Sequence, residues 1–103
     1  MRIRDKRSYL VHAQVSSDAP VTLYLLDTAG ETVRSVSVPV SGGAFVTVPL
    51  GQSVEFYSAA GQKPSSATVN GAEVTTASLT GIGHGGYILT SHPRAGDIVV
   101  FIQ

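Results

Sequence analysis

The glycine-rich segment at residues 81–86, Gly-Ile-Gly-His-Gly-Gly, has the spacing of a phosphate-binding motif. In the G-x-G-x-x-G motif, glycines let the backbone approach a pyrophosphate at the N-terminus of the helix that follows. Here the next residues, 87–90, read Tyr-Ile-Leu-Thr, which is the composition of a strand. The sequence therefore does not favour a dinucleotide site. It predicts a flexible loop or a place where backbone packs closely, with a neighbouring molecule or a ligand as a candidate contact.

Histidines and carboxylates could supply metal ligands or acid–base groups, but their spacing indicates neither. His12, His84 and His92 do not form an H-x-H or H-x-x-x-H pair, and the chain has no cysteine. We expect His84 and His92 at opposite ends of one strand, and therefore apart. A glycosidase needs two carboxylates across a cleft, whereas Glu55 and Glu73, the only ones expected on strands, are expected to face solvent. The sequence predicts a non-enzymatic protein with no catalytic, metal or cofactor site.

Tyrosines are the remaining candidates for binding a ligand. Tyr24 and Tyr57 are expected on the faces of their strands opposite the aliphatic residues, and Tyr87 follows the glycine-rich segment. If these three rings converge on one face, they form a small platform of the kind on which sugars stack. His84, within the glycine-rich segment, is a further candidate interaction residue. The chain has no Trp, the residue that such platforms most often use.

Four strands are predicted between Val21 and Tyr57, because β-branched and other aliphatic residues there recur at every second position. The alternating sets are Val21, Leu23 and Leu25, then Val36, Val38 and Val40, then Val46, Val48 and Leu50. An even loop centred on residues 29–30 puts Leu23 opposite Val36. An odd loop or bulge at residues 41–43 puts Val38 opposite Val46. Both choices bring the aliphatic sets to one face, so the sequence predicts an antiparallel meander.

The flanking segments also read as strands. Ser8–Val15 places alternate apolar residues on one face, and Asn70-Gly71 has the composition of a type I′ turn that pairs Val69 with Ala72. The run at 97–103, Asp-Ile-Val-Val-Phe-Ile-Gln, is apolar on both faces, as in a central strand or a strand with one face in an interface. We expect about nine strands, no helix, and one β-sandwich domain over residues 8–103, with a small β-barrel as the alternative.

The run LYLLDTAGETVRSVSVPVSGGAFVTVPLGQSVEFYSAAG, at residues 23–61, resembles a known pattern. An apolar strand, a D-x-x-G turn, a Gly-Gly-aromatic step, an x-V-P-x-G turn and an aromatic strand follow one another in prealbumin-like and carboxypeptidase-regulatory-like modules. The resemblance implies an antiparallel β-sandwich that is immunoglobulin-like or prealbumin-like. Those modules share no common chemistry, so the resemblance implies no site.

The charge content is low. Charged residues make up 14% of the chain, against roughly 25% in an average soluble domain, and the formal net charge is zero. Near-zero net charge promotes association, so we favour a protein whose outside is partly buried in an assembly over a monomer coated with Ser and Thr.

Residues 1–7 form a basic N-terminal arm with Arg2, Arg4, Lys6 and Arg7. This arm is either solvated or docked on an acidic neighbouring subunit.

Four cations without interleaved aromatic residues do not indicate nucleic-acid binding. The N-terminus lacks the apolar core of a signal peptide, and no run has the length of a membrane span.

The composition is similar to that of small accessory proteins of bacteriophage virions, such as capsid decoration, tail or fibre proteins. That resemblance implies synthesis in the host cytoplasm and location in the virion. The implied partners are further copies of the chain, in a trimer or other closed oligomer, or the subunits of a larger shell or tail. The alternative is a sandwich module that binds carbohydrate, for example a surface glycan, or another ligand.

Overall fold

A computed structural model describes residues 7–16 and 18–103. Ten strands and no helix form in this part of the chain, against about nine predicted. The strands are β1 (Ser8–Val15), β2 (Val21–Leu26), β3 (Thr32–Val38), β4 (Gly42–Pro49), β5 (Ser53–Ser58), β6 (Ser66–Val69), β7 (Ala72–Glu73), β8 (Thr76–Ser78), β9 (Tyr87–Leu89) and β10 (Ile98–Ile102). The extra strand arises because the segment after the Asn70-Gly71 turn divides into β7 and β8.

The strands form two separate five-stranded sheets. The first sheet has the order β4-β1-β10-β6-β7, and the second has the order β3-β2-β5-β9-β8. One apolar core lies between them, where the rings of Phe101 in the first sheet and Phe56 in the second are 5.3 Å apart. The prediction of an all-β, sandwich-like architecture is confirmed, and the two sheets do not close into a barrel.

Alternation along each strand selects the residues of this core, as the sequence predicts. The buried set from the first sheet is Tyr9, Val11, Ala13, Val15, Val46, Val48, Ala67, Val99 and Phe101. The buried set from the second sheet includes Val21, Leu23, Leu25, Val38, Val54 and Phe56. Two members of the predicted aliphatic sets, Val40 and Leu50, lie beyond the ends of their strands and are exposed.

Only the first of the three strand pairings in the predicted meander forms. β2 and β3 pair as expected, with Leu23 opposite Val36. β4 does not pair with β3, because it crosses to the other sheet and lies beside β1, where Val46 faces Val11 instead of Val38. β5 then crosses back and pairs with β2. Alternation requires aliphatic sets to share one core, and two strands meet this requirement equally well side by side or from opposite sheets.

The pairing of β1 with β10 is parallel, with Leu10 opposite Ile98, whereas every other pair among the described residues is antiparallel. β10 therefore runs through the centre of the first sheet, between β1 and β6. Its inward residues are in the core, but Ile98 and Ile102 remain 47% and 40% exposed. The run at 97–103 is thus a central strand, but it is not covered on both sides. Burial of its open face in an interface stays a prediction.

The Asn70-Gly71 turn forms as predicted, with positive φ at both residues and Val69 paired with Ala72. The Asn70 side chain also donates to the Asp97 carboxylate at 3.0 Å and accepts from the Ile98 N–H at 2.9 Å. The Arg94 backbone N–H and the Asn70 amide, which both donate to the Asp97 carboxylate, hold its pKa below the usual value. These bonds tie the start of β10 to the hairpin.

Tyr9 yields a prediction about alkaline stability. Its side chain is buried, and its hydroxyl donates to the Gln52 carbonyl at 2.6 Å. Burial raises the pKa of Tyr9 to about 12. Because the folded pKa lies above the unfolded value of about 10, the stabilisation is complete below pH ~10 and is lost as the pH rises through ~12.

We therefore expect tyrosinate absorbance in the folded protein to show a late step near pH 12, which is missing in Tyr9→Phe. The Tyr9→Phe variant should also lose about 0.5–1.5 kcal/mol of unfolding free energy at neutral pH, through the missing hydrogen bond. A wild-type titration without a late step would contradict this account of Tyr9.

Candidate interaction sites

The glycine-rich segment lies over the outer face of the second sheet and surrounds one carboxylate. Glu55 Oε2 accepts the backbone N–H of Gly86 at 2.6 Å and that of His84 at 2.9 Å. Glu55 Oε1 lies 3.1 Å from His84 Nδ1. Gly81, Gly83 and Gly85 all have positive φ, which lets the loop turn its N–H groups toward the carboxylate.

Glu55 is completely buried, so the expectation that it faces solvent is wrong. It does point to the side of β5 opposite Val54 and Phe56, but the loop covers that side. The cover requires glycine at two positions. A Cβ on Gly83 would lie 2.8 Å from Glu55 Oε1, and a Cβ on Gly86 would lie 2.9 Å from Glu55 Cγ. Any side chain at either position would therefore push the loop away from the carboxylate.

One of the three predicted tyrosines contacts His84 beside Glu55, and a second contacts the first. The Tyr24 ring stacks on the His84 ring at a centroid distance of 3.6 Å and an angle of 14°. Tyr57 contacts Tyr24 edge-on at 6.0 Å. Tyr87 does not join them, because it pairs with Phe56, whose side chain points into the core. The three-tyrosine platform does not form, and His84 covers one face of Tyr24.

The chemistry of this cluster is that of an internal anchor. Consecutive backbone N–H groups directed into a concavity bind anions, which is the physical basis of phosphate-binding glycine loops. Here the concavity is filled by the chain's own Glu55, and both of its oxygens already accept hydrogen bonds. Within the described residues, no group of three or more His, Asp or Glu side chains could hold a metal ion. His92 lies elsewhere, edge-on to Tyr9.

A different surface, the outer face of the first sheet, has no internal cover among the described residues. We use this name for the residues of β4, β1, β10 and β6 that alternate with the core residues. They are Gly43, Phe45, Thr47, Pro49, Ser8, Leu10, His12, Gln14, Ile98, Val100, Ile102, Ser66 and Thr68. These four strands contain no Asp, Glu, Lys or Arg.

Register makes the apolar residues of this face contiguous. Phe45 lies opposite His12, and His12 lies opposite Val100. The next row along the sheet joins Leu10 to Ile98. The rings of Phe45 and His12 stack in parallel at 4.1 Å, and Phe45 is 59% exposed. The face therefore presents aliphatic and aromatic surface across three adjacent strands.

An open groove of about 880 Å³ runs beside the Phe45–His12 stack. Gly42 and Gly43 contribute no side chains to it, and Gln14 and Ile102 line it farther along the face. The groove combines the flat, stacked rings of Phe45 and His12 with amide and hydroxyl groups. This groove is the part of the outer face best shaped for a small polar ligand.

A cavity of about 170 Å³ also lies between the two sheets, lined by core residues of β1 and β10 and by the segment 88–93. It exists because β9 is short and pairs with β5 at only one residue pair, Phe56 with Tyr87, so the second sheet does not fully cover Val99 and Phe101. Within the described residues, no polar side-chain atom that lines it is buried without a hydrogen bond. The cavity has the size of one aromatic ring, but nothing in its lining selects a ligand.

The basic arm is mostly outside the described residues, which begin at Arg7. Arg2, Arg4 and Lys6 therefore have no structural outcome. Arg7 is exposed, and its carbonyl accepts the Leu50 N–H at 2.6 Å. Docking of the arm on a neighbouring subunit stays a prediction.

Sequence reasoning did not select Phe45, His12, Ile98 or Ile102 as interaction residues. One signal was present in the sequence, since the run at 97–103 has apolar residues on both faces of the strand. A second signal was the absence of charge in the segment 42–49, which alternation alone marks only as a strand. Their combination into one face depends on β4, β1 and β10 being neighbours, which the sequence did not predict.

Comparisons of the chain with protein-family models, with curated proteins and with solved structures found no match. Residues 7–16 and 18–103 contain no helix long and apolar enough to cross a membrane.

The Glu55 anchor predicts the effect of an isosteric substitution. Glu55→Gln replaces one accepting oxygen by an NH₂ group, which faces an N–H of His84 or Gly86. One buried donor left without an acceptor costs about 1–3 kcal/mol, so we expect urea unfolding to show a loss of that size. Nuclear Overhauser contacts between the Tyr24 and His84 rings should weaken in parallel.

The matched control is Glu73→Gln, because Glu73 is an exposed carboxylate on another strand. Its substitution should change the unfolding free energy by less than about 0.5 kcal/mol. Equal effects of the two substitutions would show that Glu55 does not anchor the loop.

Proposed function

We propose that this chain is a non-enzymatic structural protein that assembles through the outer face of its first sheet. The finer proposal is a component of a bacteriophage virion, such as a capsid decoration, tail or fibre protein, with an immunoglobulin-like or prealbumin-like sandwich. The low charge and zero net charge of the chain support assembly, and the two packed five-stranded sheets support a sandwich.

The observation that carries the proposal is the uncharged apolar surface across β4, β1 and β10. A sheet face exposed to water in a monomer normally alternates polar residues with the buried ones. Here Phe45 on β4 and Ile98 and Ile102 on β10 are each at least 40% exposed, on the two strands that flank β1. Contiguous exposed apolar surface of this kind marks an interaction site, because its burial against a partner removes it from water.

A ligand-binding module is the second candidate, and the groove beside Phe45 and His12 favours it. Sugars stack their apolar faces on flat rings and bind amide and hydroxyl groups at their edges. Gln14 and Ser41 line the same groove. The predicted tyrosine site has less support, since Tyr87 pairs with Phe56 and does not join Tyr24 and Tyr57.

Assembly predicts a concentration-dependent oligomer that is sensitive to charge on the outer face. Sedimentation velocity of the full chain should show association at micromolar concentrations. Ile98→Lys should weaken this association by about tenfold or more, because burying the ammonium costs more than 1.4 kcal/mol.

Val33→Lys is the matched control, since Val33 is 52% exposed but lies on β3, in the second sheet. It should leave the association unchanged. A wild-type chain that stays monomeric at all concentrations would contradict assembly. Equal effects of Ile98→Lys and Val33→Lys on the association would contradict it as well. Glycan binding by such a monomer, lost in Phe45→Ala, would favour the second candidate.

A further inference from the structure

β4 is an open edge of the first sheet. It pairs with β1 along its whole length, from Ser8 opposite Pro49 to Val15 opposite Gly42. No described strand pairs with its other side. The eight residues of β4 therefore have no described strand partner on that side.

The free backbone groups of this edge follow from the hydrogen bonds of β1. Leu10 N–H donates to Asp97, and Gln103 N–H donates to Gln14, so the even-numbered residues of β1 bond β10. The odd-numbered residues of β1 then bond β4, since bonding sides alternate along a strand. Their partners in β4 are Gly42, Ala44, Val46 and Val48. The N–H and C=O groups of Gly43, Phe45 and Thr47 point away from β1, to the free side of β4.

Other edges of the molecule carry the devices that prevent strand addition, and β4 does not. Short length, charge, proline and bulges are the usual devices. β7 and β8 have two and three residues. β3 carries Arg34 and a register shift opposite Leu25 and Leu26. β4 has no charged residue and no bulge, and its only proline is its last residue, Pro49.

We infer that β4 pairs antiparallel with β4 of a second copy of this chain, about a twofold axis at Phe45. This inference rests on the proposed self-assembly and adds to the outer face a second interface, at the edge of the same sheet. Phe45 exchanges two backbone N–H···O=C hydrogen bonds with Phe45 of the second copy. Gly43 exchanges two such hydrogen bonds with Thr47 of the second copy. Every free group of the edge then has a partner, and the two first sheets become one continuous sheet.

The sequence of β4 selects this register. A pairing centred on Thr47 would bring Pro49, which has no N–H, opposite Phe45 and lose a bond. A pairing centred on Gly43 would bring Ser41 opposite Phe45, but Ser41 has a φ of 58° and is not extended. Only the register centred on Phe45 keeps three bonded pairs.

A second copy fits this edge better than a charged peptide does. β4 is uncharged, so two copies meet without like-charge repulsion across the axis. The exposed rings of Phe45 come together on the outer face, and aromatic cross-strand pairs stabilise sheets. Interfaces about a twofold axis use the same patch on both subunits, as a strand pairing with itself does.

A proline placed at the free edge tests the inference. In Thr47→Pro the lost N–H is the solvent-facing one, so the β1–β4 ladder stays intact and circular dichroism should show a folded protein. The dimer loses two hydrogen bonds and gains a steric block at both ends. We expect its dissociation constant, measured by sedimentation equilibrium, to rise about tenfold or more.

Ser35→Pro is the matched control on the neighbouring edge strand. Ala59 N–H donates to Pro20, so even-numbered residues of β2 bond β5 and odd-numbered ones bond β3. The Ser35 N–H consequently points away from β2 as well. This variant should dimerise like the wild type. Equal weakening by both prolines would overturn the β4 interface.

Cysteine cross-linking tests the register independently, because the chain has no cysteine of its own. At position 45 the two Cα atoms lie about 5.5 Å apart across the axis, within disulfide range. Phe45→Cys should therefore oxidise to a covalent dimer, and Thr47→Cys, whose counterpart lies two pairs away, should not. Preferential cross-linking at 47, or none at either position, would overturn the register.

The outcomes separate this inference from the proposed function. If Ile98→Lys weakens association while both the proline and cysteine tests fail, the outer face assembles and the β4 edge does not pair. If the wild type never associates, both proposals fail. If Thr47→Pro abolishes the dimer and Ile98→Lys reduces only larger assemblies, both stand.

Discussion

β1 lies between β4 and β10 in the first sheet, and the rest of the structure depends on the two ladders that it forms. On one side it pairs in parallel with β10, and on the other it pairs antiparallel with β4. β4 pairs with β1 on one side and with no described strand on the other, so it is an edge strand. The same arrangement places Phe45, His12 and Val100 in one row, so the open edge and the apolar outer face are consequences of a single pairing choice.

The second sheet has the opposite character. Its outer face contains Glu55, which would be costly to bury without partners. The loop at 81–86 satisfies this carboxylate with backbone N–H groups and, together with the stacked Tyr24 and His84, covers the face. Among the described residues, the second sheet thus has internal cover over Glu55, and the outer face of the first sheet has none. The glycine motif that suggests a nucleotide site is used for folding, and the surface left for partners lies on the other side.

The sequence predicted the strands, their inward faces, the Asn70-Gly71 turn and the β2–β3 register, because each depends on local alternation or turn chemistry. It did not predict the neighbour of β4, since Val46 is buried equally well opposite Val38 or opposite Val11. It did not predict the burial of Glu55 either, because the cover comes from residues about 30 positions later. The sequence indicated the outer face of the first sheet only in part, through the run that contains Ile98 and Ile102 and is apolar on both faces.

Residue-resolved amide hydrogen exchange, measured at several protein concentrations, tests the central pairing most directly. With β4 bonded to β1 and otherwise free, the N–H groups of Ala44, Val46 and Val48 exchange slowly at every concentration. Those of Gly43, Phe45 and Thr47 exchange fast in dilute solution and become protected as the concentration rises. Protection of Phe45 and Thr47 in the dilute monomer would contradict the account, because it would mean that β4 has a second strand beside it within the same chain. Fast exchange of these groups at every concentration would contradict the pairing of two copies.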